Sequence, residues 1–69
     1  MSIQQEIGRR VAQLRKEKGW SQEQLAFECD MHRTYISQVE RGVINPTIGS
    51  LDTIAKALGL NCRDFLVES

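Results

Sequence analysis

Polar side chains able to donate hydrogen bonds recur at helical spacing between residues 33 and 41. In an α-helix successive residues turn by about 100°, so these side chains share one face while Ile36 and Val39 lie on the opposite, apolar face. Guanidinium, hydroxyl and carboxamide groups are the types that bind base edges and phosphates in the major groove of DNA, which is wide enough for a helix. This polar face consists of Arg33, Thr34, Ser37, Gln38 and Arg41.

The polar face carries no carboxylate. A helix face that is merely solvated usually mixes acidic with basic residues, so this composition favours a polyanionic partner. The simpler alternative is an ordinary solvated face. Among these groups, Arg33 can pair bidentately with guanine and Gln38 with adenine, whereas Thr34 and Ser37 suit either a base or a phosphate.

A second short helix precedes this one. Ser21 is predicted to cap it, with Gln24 reaching back in a capping box and with Trp20 and Leu25 forming a hydrophobic staple. Asp30 falls in the turn between the two helices. The sequence therefore predicts two helices joined by a tight turn.

The pattern of these two helices resembles the helix-turn-helix of the lambda-repressor-like, or Xre, family of bacterial and phage regulators. The resemblance is carried by Leu25-Ala26 followed by Ile36, Val39 and Glu40, and it extends upstream over residues 15–22 and downstream over Glu40-Arg41-Gly42, Pro46-Thr47 and Leu51. Asp30 departs from the family pattern, which usually has Gly in the turn. The resemblance therefore implies a left-handed backbone at this site, which Asp tolerates better than most residues. Within this family, residues 33–37 followed by Glu40-Arg41 resemble restriction-modification controller proteins more closely than other regulators. Phage regulators and plasmid or antitoxin regulators remain alternatives.

The resemblance implies a role for each group of residues. The helix over residues 32–41 is expected in the major groove of double-stranded DNA, with base contacts from Arg33, Thr34, Ser37 and Gln38. Phosphate contacts are expected from Gln22, Tyr35, Arg41, Asn45 and Thr47. In similar proteins the residues corresponding to Arg15 and Glu40 form a structural ion pair, which makes Arg15 a poor candidate for a DNA contact.

The remaining segments complete an all-α protein. Residues 3–18 place Ile7, Val11 and Leu14 on one helical stripe, and a fourth helix is predicted after an N-cap at Thr47. A short fifth helix is expected through about Val67. The sequence predicts one helix-turn-helix DNA-binding domain over residues 1–69, a compact bundle of five short helices without strands.

Composition limits the other classes of function. The chain has 69 residues, two cysteines and one histidine, without metal-ligand spacing, a catalytic constellation, a phosphate loop or an apolar segment of membrane-spanning length. We therefore expect a cytoplasmic protein that is not an enzyme, with no metal, cofactor, small-molecule ligand or membrane partner. Its nine basic residues are balanced by nine acidic ones. Because DNA binding relies on basic residues, this balance favours the alternative of a protein-interaction module, such as an antitoxin-like or adaptor domain.

A lone domain of this size buries too little surface for strong discrimination between DNA sequences. A homodimer on a palindromic operator, with half-sites about one helical turn apart, is the expected solution. The apolar residues near the end of the sequence are the candidate dimer interface, although the first of them is also suited to closing the core: Phe65, Leu66 and Val67.

Overall fold

The computed structural model describes residues 2–65, and in that part the chain forms four α-helices, one short 3-10 helix and no strand. None of its helices is long and apolar enough to cross a bilayer. The all-α class predicted from the sequence is confirmed. In chain order the elements are α1 (Ile3–Glu17), α2 (Gln22–Cys29), α3 (Arg33–Arg41), α4 (Ile48–Ala57) and the 3-10 helix (Cys62–Phe65).

The prediction of a fifth α-helix requires correction. Its place is taken by the four-residue 3-10 helix, in which the backbone N–H of Asp64 donates to the carbonyl of Asn61 at 2.9 Å. This bond spans three residues, the spacing of the tighter 3-10 helix. The Asp64 carboxylate also accepts from the backbone N–H of Asn61 at 3.0 Å, which stabilises the turn. The expected continuation to Val67 lies outside the described residues.

Side-chain caps begin three of the four α-helices. The Ser21 hydroxyl accepts from the backbone N–H of Gln24 at 3.0 Å, so the predicted cap of α2 is confirmed. The reciprocal half of its capping box is absent, because the Gln24 side chain donates instead to Glu28 at 2.9 Å. A complete capping box joins Ser2 and Gln5 at the start of α1, where the sequence analysis did not predict one.

The core lies between the four α-helices and is closed by Phe65. Burying each large apolar side chain stabilises the fold by about 1.5–3 kcal/mol, so this small cluster accounts for much of the folding free energy. Trp20 is half-buried against the same core, with the Lys18 ammonium 5.0 Å from the centre of its ring. The most completely buried side chains are Val11, Leu25, Ile36, Val39 and Ile54.

A glycine allows α1 to approach the end of α3 closely. Gly8 is buried, and a Cβ atom at this position would lie 2.5 Å from the carbonyl oxygen of Glu40 and nearer still to that of Val39. Real Cβ atoms do not come so close to backbone atoms, so only glycine fits. At Gly42, which ends α3, the backbone is left-handed with φ of 71°, and a Cβ would meet the backbone of Gln5 at 2.7 Å. The N-terminal half of α1 therefore packs directly on the C-terminal end of α3.

Candidate nucleic-acid interface

The two faces of α3 have opposite environments. Ile36 and Val39 are buried in the core, whereas Arg33 and Thr34 are exposed and Ser37 and Gln38 are half-buried. Within residues 2–65, the side chains of these four polar residues have no hydrogen-bonding partner elsewhere in the chain. The structure thus brings together the four predicted base-contacting residues on one outward surface, with donors and acceptors still available to a ligand.

The turn before α3 sets its direction relative to α2. Asp30 has φ of 57° and ψ of 45°, the left-handed conformation predicted from its place in the turn. The backbone N–H of Met31 donates to the carbonyl of Ala26 at 2.9 Å, which completes the end of α2. α3 then begins after His32, whose side chain makes no capping hydrogen bond, so the first N–H groups of α3 lack a side-chain acceptor.

A buried ion pair fixes the other end of α3. The Nε of Arg15 on α1 lies 2.7 Å from Oε2 of Glu40, and an Nη atom of the same guanidinium lies 3.0 Å from Oε1. Arg15 is only 9% exposed, and it also donates to the Trp20 carbonyl at 2.7 Å. The pair expected from the resemblance is therefore present, with the bidentate geometry that makes such pairs strong.

Protonation of the two buried ionisable groups follows from their surroundings. The hydrogen bond to Glu40 raises the pKa of Arg15, burial opposes that rise, and the attraction of the Glu40 charge adds to it. Arg15 therefore stays cationic. Burial raises the pKa of the Cys29 thiol, and the nearby charge of Glu28 raises it further, so this cysteine is a neutral core residue. In the described part of the chain no three His, Cys, Asp or Glu side chains gather as a metal site.

The predicted phosphate-contacting residues lie in different environments. Arg41 and Asn45 are exposed, and Tyr35 is half-buried against the core. Thr47 is exposed but its hydroxyl already accepts from the backbone N–H of Ser50 at 3.0 Å, which confirms it as the N-cap of α4. Gln22 is half-buried and donates to Glu40 at 3.0 Å, a bond that the sequence analysis did not foresee.

The predicted dimer residues are only partly described. Phe65 is 3% exposed, so it belongs to the core and offers almost no area to a second protomer. Its burial is a correction to the expectation that it forms an interface. Leu66 and Val67 lie outside the described residues, and their interface role stays a prediction.

The inward position of Glu40 changes the electrostatics of α3. Its side chain is 6% exposed and is neutralised by Arg15, so the one acidic residue of α3 contributes no free negative charge outside. Arg33 and Arg41 remain exposed on the same helix. The exposed charges of α3 are therefore positive, although the net charge of the chain is zero.

Gly8 was not predicted as a functional residue, although its spacing in the sequence contains a signal. Gly8 lies three residues before Val11 and seven before Arg15, and all three are buried on one stripe of α1. A glycine on the stripe that carries a buried arginine indicates a close helix contact at that point. The residues that position the candidate interface are thus Gly8, Arg15 and Glu40.

Known sequences of one protein family share the pattern of these helices. The sequence profile of the Helix-turn-helix family matches residues 11–65, which include all of α2, the turn and α3. The chain is a member of this family. The expectation from the sequence is therefore confirmed, and α2 and α3 are the two helices of a helix-turn-helix unit.

Several helix-turn-helix relatives are controller proteins. Control protein C.BamHI from Bacillus amyloliquefaciens is 51% identical over 61 residues, which are 87% of this chain and 75% of that protein. The crystal structure of the restriction-modification controller C.AhdI from Aeromonas hydrophila superposes with a TM-score of 0.86 at 37% identity, covering 90% of this chain and 94% of that one. The predicted similarity to controller proteins is confirmed.

A third relative was solved with its ligand. The structure of SinR, the master regulator for biofilm formation, in complex with DNA has a TM-score of 0.83 and 35% identity to this chain. The match covers 88% of this chain and 98% of the SinR chain in that structure. The fold shared by the two proteins therefore extends over most of this chain.

Proposed function

We propose that this protein is a sequence-specific regulator of transcription that binds double-stranded DNA with α3 in the major groove. The observation that carries the proposal is the outward surface of α3, where exposed Arg33 and Thr34 and half-buried Ser37 and Gln38 have unused hydrogen-bonding groups. Membership of the helix-turn-helix family and the DNA complex of a relative support the same docking mode. A regulator of this kind acts on DNA in the cytoplasm.

In this complex the residues divide into two roles. Arg33 pairs with guanine and Gln38 with adenine, and Thr34 and Ser37 contact neighbouring bases or phosphates. Phosphate contacts fix the register without reading sequence. They come from Gln22, Tyr35, Arg41, Asn45 and Thr47.

The relatives named as controllers suggest the biological setting. C.BamHI and C.AhdI are named for control and restriction-modification, and this chain matches them over most of its length. We propose that this chain likewise controls restriction-modification genes as a homodimer on a palindromic operator. Two copies double the contacted surface, which a domain of this size requires for strong discrimination.

Selection of bound sequences from a random duplex pool tests the DNA-reading role. The wild type should enrich one sequence, and R33A and Q38A should lose preference at single positions, each by about 1–3 kcal/mol. R63A is the matched control, because it removes one exposed arginine from the 3-10 helix instead of α3. If no duplex is enriched by the wild type, or if the R33A and Q38A preferences equal those of R63A, DNA reading by α3 is refuted.

The protein-interaction alternative is supported by the balanced net charge. It predicts that R33A and Q38A leave the selection of DNA sequences unchanged but abolish binding of a protein partner. Sedimentation at micromolar concentration tests the homodimer separately. A monomer with and without the selected duplex contradicts the dimer while leaving base reading by α3 intact.

A further inference from the structure

One carboxylate joins the first three helices. Oε1 of Glu40 on α3 accepts from Nε2 of Gln22 on α2 at 3.0 Å and from an Nη atom of Arg15 on α1 at 3.0 Å. Oε2 accepts from Nε of Arg15 at 2.7 Å. No buried side-chain nitrogen or oxygen is without a partner in the described residues, so each buried polar atom of this network has at least one hydrogen bond.

The chemistry of Glu40 determines the orientation of the Gln22 side chain. An ionised carboxylate only accepts hydrogen bonds, so it requires the NH2 end of the carboxamide. The inverted carboxamide would place its oxygen against Oε1 of Glu40, where two acceptors repel. Glu40 uses one N–H of the Gln22 amide, and the second N–H is left for another acceptor.

The charge balance around Gln22 permits that acceptor to be an anion. A free carboxylate beside Gln22 would repel a phosphate, but Glu40 is paired with Arg15 and its side chain is 6% exposed. Gln22 itself is half-buried at the first turn of α2, with its backbone beyond the Ser21 cap. The side chain is therefore held by one N–H and is still partly open to the protein surface.

We propose that Glu40 is a positioning residue for recognition of the DNA backbone. It holds the Gln22 carboxamide so that the second N–H donates to a phosphate of the bound duplex. The inference rests on the proposed DNA binding, and it assigns to the Arg15–Glu40 pair a role beyond packing α1 against α3. The carboxylate that fixes α3 also aims the phosphate donor of α2, so base reading and backbone register are coupled through one side chain.

A double-mutant cycle measures this coupling. The dissociation constant is determined on the selected duplex for wild type, Q22M, R15M/E40M and the triple variant. Methionine keeps the length of Gln22 and removes its amide, and the apolar pair removes both buried charges together, which leaves neither unpaired. Q22M should weaken binding about tenfold in the wild type, the scale of one hydrogen bond to a charged group. In the R15M/E40M background the same change should have less than about a twofold effect.

A measurement on the wild type alone covers the case in which R15M/E40M does not fold. NMR hydrogen exchange follows the side-chain amides of Gln22 and, as the control, of Gln38, which has no partner in the described residues. In the free protein one Gln22 proton should be protected and both Gln38 protons should exchange freely. Addition of the duplex should then protect the second Gln22 proton.

The outcomes separate this inference from the proposed function. An equal loss for Q22M in both backgrounds, or two unprotected Gln22 protons in the free protein, overturns the positioning role. Either result leaves DNA reading intact if R33A still changes the selected sequence. If the R33A, Q38A and R63A variants all select the same DNA sequence, base reading by α3 is refuted. The positioning role of Glu40 is then refuted as well, since it rests on DNA binding.

Discussion

The two ends of α3 are held to different degrees. At the C-terminal end, Glu40 pairs with buried Arg15, and Gly8 lets α1 come close enough that an added Cβ would clash with backbone carbonyls. At the N-terminal end, α3 follows the left-handed Asp30, and the N-cap residue His32 makes no side-chain capping hydrogen bond. The end that carries Arg33 and Thr34 is therefore the less constrained one.

The two ends of α3 therefore have different roles, one in positioning the helix and the other in contacting bases. The C-terminal end fixes the angle and depth of α3 relative to the rest of the bundle, because its contacts are with backbone and a buried charge. At the N-terminal end, the exposed side chains of Arg33 and Thr34 have no hydrogen-bonding partner in the described residues, so they can adjust to a ligand. In the proposed complex, register is set by the fixed end, and base contacts are adjusted at the free one.

Loss of the buried charge pair should have the largest effect. R15M leaves Glu40 without its cation, and we expect a loss of about 3–5 kcal/mol in the free energy of unfolding, measured by urea denaturation. R15M/E40M should recover most of that loss, since neither charge is then buried alone. A single variant as stable as the wild type would show that the pair does not anchor α3.

Adding a side chain at Gly8 should have the second largest effect on stability. G8A should destabilise the protein by about 1–3 kcal/mol, although alanine is ordinarily the better helix former. G49A is the control, because a Cβ there meets only the Thr47 hydroxyl oxygen at an ordinary 3.8 Å. G49A should raise the thermal midpoint while G8A lowers it, and a rise in both would contradict the close α1–α3 contact.

Capping the free end should have a smaller, stabilising effect. H32S supplies an oxygen to the unpaired N–H groups at the start of α3, and we expect a gain of about 1 kcal/mol in urea denaturation. S21A provides the comparison at α2, where removal of an existing cap should cost about the same amount. Unchanged stability in H32S would mean that the start of α3 is already satisfied.

Substitution of Asp30 in the turn between α2 and α3 should change the stability least. Asp30 places a negative charge at the C-terminal end of α2, where the helix dipole is also negative, so D30N should stabilise by about 0.3–1 kcal/mol while keeping a residue that tolerates the left-handed backbone. D30A removes that tolerance and should be less stable than D30N. Calorimetry of both variants tests the order, and D30A equal to D30N would contradict strain at this turn.

Local sequence signals predicted the elements of this fold well. The periodicity around Ile36 and Val39 located the buried face of α3, and Ser21 and Thr47 located two helix starts, because these signals act within one turn of helix. The resemblance supplied the Arg15–Glu40 pair. Asp30 was placed correctly in a left-handed turn.

The features that escaped prediction depend on contacts between distant segments. The bond from Gln22 to Glu40 joins residues 18 apart, and the space that excludes a side chain at Gly8 exists only once α3 packs on α1. The Gln24 side chain donates to Glu28 and does not complete the predicted capping box. Both partners lie within one turn of Gln24, so the sequence does not distinguish them. Phe65 was predicted as an interface residue with the core as the alternative, because apolarity alone does not distinguish an interface from a core.

The inward turn of Glu40 also bears on how this protein would approach a nucleic acid. A molecule without net charge feels little overall pull from a polyanion at long range, but an uneven charge distribution produces a torque. With Arg33 and Arg41 outside and Glu40 inside, the exposed charges of α3 itself are positive and favour orientations in which this helix faces the duplex. Burial of one carboxylate therefore contributes to the orientation of the protein at short range without adding to its net charge.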